Sequence, residues 1–217
     1  MKVEIWSDMV CPFCYIGKRH FEEALQQFVH KDDVEVIWKS FELDPDSKRD
    51  YEGGFYAMLA SKFNTTPEKA KEMNQRVIKM AGEAGLTFNM DNAIPSNSFD
   101  AHRLMQLGAK HGLADKVEEK VFSAYFTEGK HIGNKETLKS IATEAGLNVE
   151  DADKVLNGEG FSYEVRTDED EAREIGVTGV PFFIFNRKYA VSGAQPAELF
   201  TEVLEKVWNE EHPVVAG

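Results

Sequence analysis

The stretch VEIWSDMVCPFCYIG, residues 3–17, decides the fold because it joins a strand-like run directly to both cysteines of the chain. Residues Val3–Ser7 are rich in β-branched and aromatic side chains, which predicts a strand. Apolar residues then recur at helical spacing from Pro12 to about Val29. A second strand-like run follows at Val34–Leu43, so the chain is expected to open as a β-α-β unit with a parallel pair of strands.

The two cysteines, Cys11 and Cys14, are separated by Pro12 and Phe13. Proline suits the first position of a helix, so we expect Cys11 at the helix N-terminus and Cys14 on the same face almost one turn later. The free amide groups and the dipole of a helix N-terminus stabilise a thiolate, which would make Cys11 the better nucleophile. This placement predicts disulfide exchange, in which Cys11 attacks and Cys14 resolves the mixed disulfide.

Three other interpretations of the cysteine pair stay open. The pair could be inert buried thiols or a structural bridge, although 217 residues can bury a core without disulfides. A structural zinc site needs four ligands, so it would have to recruit two of the scattered histidines. These histidines are His20, His30, His102, His111, His131 and His212. We predict no metal site.

Charge and hydropathy exclude several classes of partner. The formal net charge is −13, which repels phosphate backbones, and no run of Lys or Arg forms a basic patch. No segment approaches the roughly 18 uninterrupted apolar residues of a membrane helix. The N-terminus lacks the apolar core of a secretory signal. We therefore expect a cytoplasmic protein without a nucleic-acid or membrane partner, in which a cysteine pair is more often catalytic than structural.

The middle of the chain has helical patterns only. Thr66 and Pro67 predict an N-cap and the first turn of a helix that ends at Gly82 or Gly85. Three more helices are predicted at Ser98–Leu107, Lys116–Phe126 and Lys135–Ala145.

The end of the chain returns to a mixed pattern. A helix at Ser162–Ile175, a strand at Phe182–Phe185, a pairing strand at Tyr189–Ser192 and a final helix from Pro196 predict an α-β-β-α ending. The predicted organisation is a β-α-β half over residues 1–44, a helical insertion over 45–160, the α-β-β-α half over 161–210, and a loose tail over 211–217.

A proline at the start of a strand marks a second feature of interest. Pro181 follows Gly-Val-Thr-Gly-Val and precedes Phe-Phe-Ile-Phe, and the first residue of a strand is one of the few places where a sheet accepts proline. An X-Pro bond is also the common setting for a cis peptide, although a trans bond is the usual state of such a dipeptide taken alone.

Together, SDMVCPFCYIG at 7–17 and GVPF at 179–182 resemble the DsbA-type branch of the thioredoxin superfamily. Within it the chain is most similar to FrnE-like cytoplasmic proteins, which share their fold with 2-hydroxychromene-2-carboxylate isomerases and kappa-class glutathione transferases. The resemblance implies an α/β thioredoxin fold with a helical domain between its two halves. It also implies that the segment PSNSFDAHRL, residues 95–104, faces the active site.

The resemblance further implies a role for individual residues. Cys11 would be the nucleophile, Cys14 the resolving thiol, and Pro181 a cis proline against the cysteine pair. Val180 would present its backbone to an extended substrate or to glutathione. The same segment makes Asn97 and His102 candidate substrate contacts. A helical histidine beside an arginine is nevertheless more often a solvent-facing or packing residue, and Ser98 is most simply an N-cap.

Pro12 and Phe13 are expected to tune the pair. Phe13 replaces the tryptophan common in FrnE-like proteins and the histidine of DsbA, so one stabiliser of the thiolate is missing. We therefore expect a less oxidising couple than DsbA, whose potential is about −120 mV against about −270 mV for thioredoxin. No second cysteine pair is present, which excludes an internal relay.

The sequence thus favours a cytoplasmic thiol-disulfide oxidoreductase that acts on protein or low-molecular-weight thiols. No tightly bound cofactor is expected, and glutathione is a candidate co-substrate. One alternative is a glutathione-dependent isomerase or transferase, although the relatives with that activity commonly place serine at the position of Cys11. The other is a redox-switched binding or chaperone module.

Overall fold

The computed structural model describes residues 1–48 and 53–213. Its centre is a four-stranded sheet in the order β2-β1-β3-β4. The strands are β1 (Lys2–Ser7), β2 (Glu35–Ser40), β3 (Phe182–Phe185) and β4 (Tyr189–Ser192). Strand β1 runs parallel to β2 and antiparallel to β3, and β4 pairs antiparallel with β3. The first and last parts of the chain therefore share one sheet.

Nine α-helices surround the sheet within the described residues. They are α1 (Pro12–Gln27), α2 (Gly54–Lys62), α3 (Pro67–Glu83), α4 (Phe99–Lys110), α5 (Ala114–Phe122), α6 (Lys135–Ala145), α7 (Val149–Asn157), α8 (Ser162–Glu174) and α9 (Ala197–Glu211). A π-helical segment, Ser123–Thr127, continues α5. None of these helices is long and apolar enough to cross a membrane.

Side chains along β1 point alternately to the two faces of the sheet, and both faces are buried. Ile5 points to the face covered by α1 and α9, where Phe183 packs between Phe21 and Phe200 with ring centroids 5.7 and 4.6 Å away. Trp6 points to the opposite face under α8, and its indole N–H donates to the main-chain oxygen of Asp168 at 3.0 Å. Strand β1, which leads into the cysteines, is thus fixed from both sides.

The helical insertion docks on α1, the helix that follows Cys11. Tyr15 stacks on Phe122 at a centroid distance of 4.7 Å. Beside this stack, Lys18 is buried and lies 2.8 Å from Asp115. Aromatic and ionic contacts therefore hold the insertion against the helix that begins at the active site.

The predicted thioredoxin fold with a helical insertion is confirmed. The second strand is shorter than expected, and the helix predicted at Lys116–Phe126 begins at Ala114 and changes to π geometry at Ser123. Helices α2 and α7 were not predicted. The boundaries at residues 44 and 160 remain predictions, and most of the predicted tail, 211–217, lies outside the described residues.

Candidate active site

The two cysteines lie at the start of α1, where β1 ends. Cys11 occupies the N-cap position and Pro12 the first turn, as predicted. The Cys11 N–H donates to the main-chain oxygen of Asp8 at 2.9 Å, and the Cys14 N–H donates to that of Cys11 at 3.1 Å. Both thiols are free, and the whole residues are only 3% and 1% exposed.

The environments of the two sulfur atoms differ. The Cys11 thiol donates to the Val180 carbonyl oxygen at 3.7 Å, and Cys11 also lines a cavity. The Cys14 sulfur accepts the Asp8 main-chain N–H at 3.4 Å and does not line that cavity. Burial, followed by the neighbouring Cys11 thiol, raises the pKa of Cys14 well above its usual value. Cys14 is therefore held as a thiol behind Cys11.

The loop before β3, which ends at Pro181, packs against the start of α1. The Val180–Pro181 peptide bond is cis, as the resemblance implied. A Cβ atom added at Gly17 would lie only 2.9 Å from Cγ of Pro181. Glycine at position 17 thus lets α1 approach the proline ring, and the predicted partners Cys11, Val180 and Pro181 meet at one site.

A cavity of about 550 Å³ opens beside Cys11, between the start of α1 and the helical insertion. Cys11, Pro12 and Phe13 line one side of it, and most of the remaining wall comes from the loop after β2 and from α2 and α3. The apolar members of that wall are Val10, Leu43, Phe55, Met58, Leu59, Phe63, Ala70, Met73, Val77, Pro95 and Tyr125. The cavity therefore offers Cys11 a predominantly apolar chamber.

A buried ion pair supports the loop that carries Cys11. The Nε2 atom of His102 lies 3.4 Å from Oδ1 of Asp8, and each side chain is 1% exposed. The Asp8 carboxylate also accepts the main-chain N–H groups of Leu43 at 2.8 Å and Val10 at 3.3 Å. Asp8 therefore ties together the loop before Cys11, the loop after β2, and helix α4.

Two further carboxylates, Glu42 and Glu169, surround this pair. Burial opposes a charged imidazole, but Asp8, Glu42 and Glu169 outweigh it and raise the pKa of His102. Burial likewise raises the pKa of Glu42 to about 7, although His102 and Arg166 oppose the shift. The layer behind the cysteines thus contains a carboxyl group, Glu42, with a pKa near neutral pH.

The candidate substrate contacts Asn97 and His102 do not line the cavity. His102 lies behind it, on Asp8. The Asn97 side chain donates to Ser47 Oγ at 3.1 Å, and its oxygen accepts the Phe99 N–H at 2.9 Å. Ser98 occupies the N-cap position of α4 without a capping bond from its side chain, so Asn97 takes over that function. Substrate contacts by Asn97 and His102 stay predictions.

Sequence reasoning missed Asp8, Gly17 and the wall formed by α2. An acidic residue directly after an apolar strand was a usable signal for Asp8, because a buried carboxylate needs partners. The sequence signal for Gly17 was weaker, because a glycine within a helix does not reveal which segment packs closely against it. Helix α2 is short and begins at two glycines, so it lacks the usual start signals.

Comparison with known proteins identifies a fold in agreement with this structure. The profile of the DSBA-like thioredoxin domain matches residues 2–205. A probable DsbA oxidoreductase from Streptomyces coelicolor is 39% identical in sequence to this protein. The alignment with its crystal structure covers 99% of this chain and 92% of that chain, with a TM-score of 0.92.

More distant relatives extend the comparison. The uncharacterised protein YwbO of Bacillus subtilis is 28% identical over 93% of this chain and 94% of its own. The cytosolic disulfide reductase DsbM of Pseudomonas aeruginosa shares the fold at 16% identity, with a TM-score of 0.66 over 97% of this chain and 100% of that chain. The profile match spans nearly the whole chain, and the protein therefore belongs to the DSBA-like thioredoxin domain family.

Proposed function

We propose that this protein is a cytoplasmic thiol-disulfide oxidoreductase in which Cys11 is the nucleophile and Cys14 the resolving thiol. The observation that carries the proposal is the asymmetry of the pair: Cys11 lines the cavity, whereas Cys14 lies behind it with a raised pKa. A substrate in the cavity can reach the first sulfur only. A cytoplasmic location is supported by the fold shared with a cytosolic disulfide reductase.

The reaction in the reducing direction has two steps. The Cys11 thiolate attacks one sulfur of the substrate disulfide, so that a Cys11–substrate bond forms, the substrate S–S bond breaks, and one substrate thiol leaves with a proton. Cys14 then loses its proton and attacks the Cys11 sulfur, which releases the second substrate thiol. Two electrons pass from the protein dithiol to the substrate, and the reverse steps oxidise a substrate dithiol.

The remaining site residues are proposed to position and tune this exchange. Pro12 starts the helix that presents the Cys11 sulfur, and Pro181 packs on that helix at Gly17. The Val180 carbonyl accepts the Cys11 thiol, and we propose that it accepts a substrate N–H once Cys11 has reacted. Phe13 supplies neither charge nor a proton donor. Glutathione is a candidate redox partner, as DsbM has been solved with glutathione.

Trapping the mixed disulfide tests this assignment. Cys14→Ser should accumulate a covalent adduct with a disulfide substrate, detected by mass spectrometry on Cys11. Cys11→Ser should form no adduct and show no exchange, because the remaining thiol is buried. Ser40→Cys in a Cys11→Ser/Cys14→Ser background leaves one buried thiol outside the pair and is a matched control for adventitious exchange. Full disulfide reductase activity in Cys11→Ser would overturn the proposal.

A glutathione-dependent isomerase or transferase is the second candidate, and the apolar cavity beside Cys11 favours it. Such a reaction needs one thiol only. Turnover of an apolar small molecule that requires glutathione and survives Cys14→Ala would support this candidate over disulfide exchange.

A further inference from the structure

The cavity beside Cys11 gathers exposed apolar side chains at its rim. Phe13, Leu43, Phe63 and Met73 all line the cavity, and they are 39%, 42%, 56% and 57% exposed. Large apolar side chains with this exposure are spread singly over most protein surfaces, whereas a cluster marks a site of interaction. The cluster here adjoins the proposed nucleophile.

The cavity offers an anionic ligand little positive charge. The lining carboxylates Asp8 and Asp44 face His102 and Lys62, and Lys62 is the one cation among the lining residues within the described ranges. Its Nζ lies 3.8 Å from Oδ2 of Asp44, so its charge is already partly balanced. Glutathione disulfide carries four carboxylates and two ammonium groups, so it is a net anion, and desolvating a carboxylate without a cation is unfavourable.

The access to Cys11 points to a small substrate. Cys11 is only 3% exposed, and it contributes to the wall of a chamber of about 550 Å³. Small-molecule sites commonly enclose about 300–1,000 Å³. A low-molecular-weight disulfide can enter this chamber, whereas the disulfide of a folded protein would have to displace the rim.

We propose that the cavity selects low-molecular-weight disulfides that carry a bulky apolar group. This inference rests on the proposed function of the cysteine pair. The apolar group would pack among Phe63, Met73 and their neighbours while one sulfur faces Cys11. The exchange follows the two steps given above, and the oxidised pair is returned to the dithiol by a low-molecular-weight dithiol.

Three disulfides test the inference: two neutral ones that differ by a phenyl group, and a charged one. They are 2-phenylethyl 2-hydroxyethyl disulfide, bis(2-hydroxyethyl) disulfide and glutathione disulfide, each assayed with dithiothreitol as reductant. Burial of a phenyl group predicts a kcat/KM about tenfold or more above that of the hydroxyethyl compound. Glutathione disulfide should give the lowest value.

A charge substitution at the rim sharpens the test. Phe63→Lys/Met73→Lys should raise KM for the phenylethyl compound about tenfold and lower KM for glutathione disulfide, with kcat little changed. Val29→Lys/Tyr163→Lys adds the same charge at exposed positions, 87% and 80% accessible, that do not line the cavity. This control should leave both KM values unchanged.

The outcomes separate the inference from the proposed function. Turnover of none of the three disulfides and none of insulin would contradict the oxidoreductase assignment itself, whereas turnover of insulin alone would overturn only the apolar selection. Equal kcat/KM for all three, or the same KM shift in the control, would overturn the apolar selection alone. Faster reduction of insulin than of the phenylethyl compound, unaffected by Phe63→Lys/Met73→Lys, would also overturn it and indicate a protein substrate.

Discussion

Replacing His102 by leucine would break the buried ion pair beneath the cysteine loop. His102 Nε2 lies 3.4 Å from Asp8 Oδ1, and both side chains are almost inaccessible. Removing one partner of a buried pair typically costs about 3–5 kcal/mol, because the other charge stays buried without its partner. The Asp8 carboxylate keeps two main-chain N–H donors, from Leu43 and Val10. We therefore expect a loss near the lower end, about 3 kcal/mol in the free energy of unfolding.

The loss should depend on pH with a defined sign. The folded protein raises the pKa of His102 above its unfolded value of about 6.5. The ionic contribution is thus fully present below about pH 6.5 and is lost as pH rises through the folded pKa. The difference in the free energy of unfolding between wild type and His102→Leu should therefore become smaller as pH rises. Glu42, with a pKa of about 7, interacts with His102 and also titrates above pH 6.5, so the comparison is repeated with Glu42→Gln.

Urea unfolding of the reduced protein, followed by tryptophan fluorescence, measures these differences. His111→Leu changes an exposed histidine at the end of the same helix and should cost less than about 0.5 kcal/mol. Asp8→Asn combined with His102→Leu should lose less than the sum of the single substitutions. A His102→Leu variant within about 1 kcal/mol of wild type at pH 6, or a difference that grows with pH, would refute the account.

Two further predictions concern the contacts of the cysteine helix. Gly17→Ala should lower stability by about 1–3 kcal/mol and slow disulfide reduction, because its Cβ would lie 2.9 Å from Pro181 Cγ. Gly82→Ala, a helical glycine with nothing within 4 Å, should instead stabilise the protein slightly, and equal effects would contradict the packing argument. Iodoacetamide at pH 7 should label Cys11 and spare Cys14 until the protein unfolds. Peptide mass spectrometry checks this, and equal labelling of both in the folded state would contradict the burial of Cys14.

Local sequence patterns were sufficient to predict the part of the site that is contiguous in sequence. The strand, the cysteine pair and the start of α1 follow from residues 3–17, because apolar spacing and an N1 proline act over a few residues. Pro181 could be added from its position before a strand, with the family resemblance. The union of the two ends of the chain in one thioredoxin fold followed from the same resemblance, whereas no strand order was predicted.

Contacts between distant segments were beyond sequence reasoning. Nothing in the local sequence of His102 shows that it meets Asp8, since only the packing of α4 on the sheet brings them together. The family resemblance made Asn97 a candidate substrate contact, and its hydrogen bonds to Ser47 and Phe99 could not be foreseen because they depend on the folded loop. The cavity likewise needs α2, whose apolar residues lack a helical start signal.

A redox titration of the cysteine pair shows whether Cys11 and Cys14 form one redox couple. The protein is equilibrated with thiol-disulfide buffers, and the fraction of Cys11–Cys14 disulfide is read by mass spectrometry after acid quenching and alkylation. The account predicts one reversible two-electron transition. Its midpoint should be more negative than about −120 mV, because Phe13 offers the Cys11 thiolate no charge or proton donor. If no intramolecular disulfide formed at any buffer potential, Cys11 and Cys14 would not be the redox couple. A midpoint at or above about −120 mV would contradict the role given to Phe13.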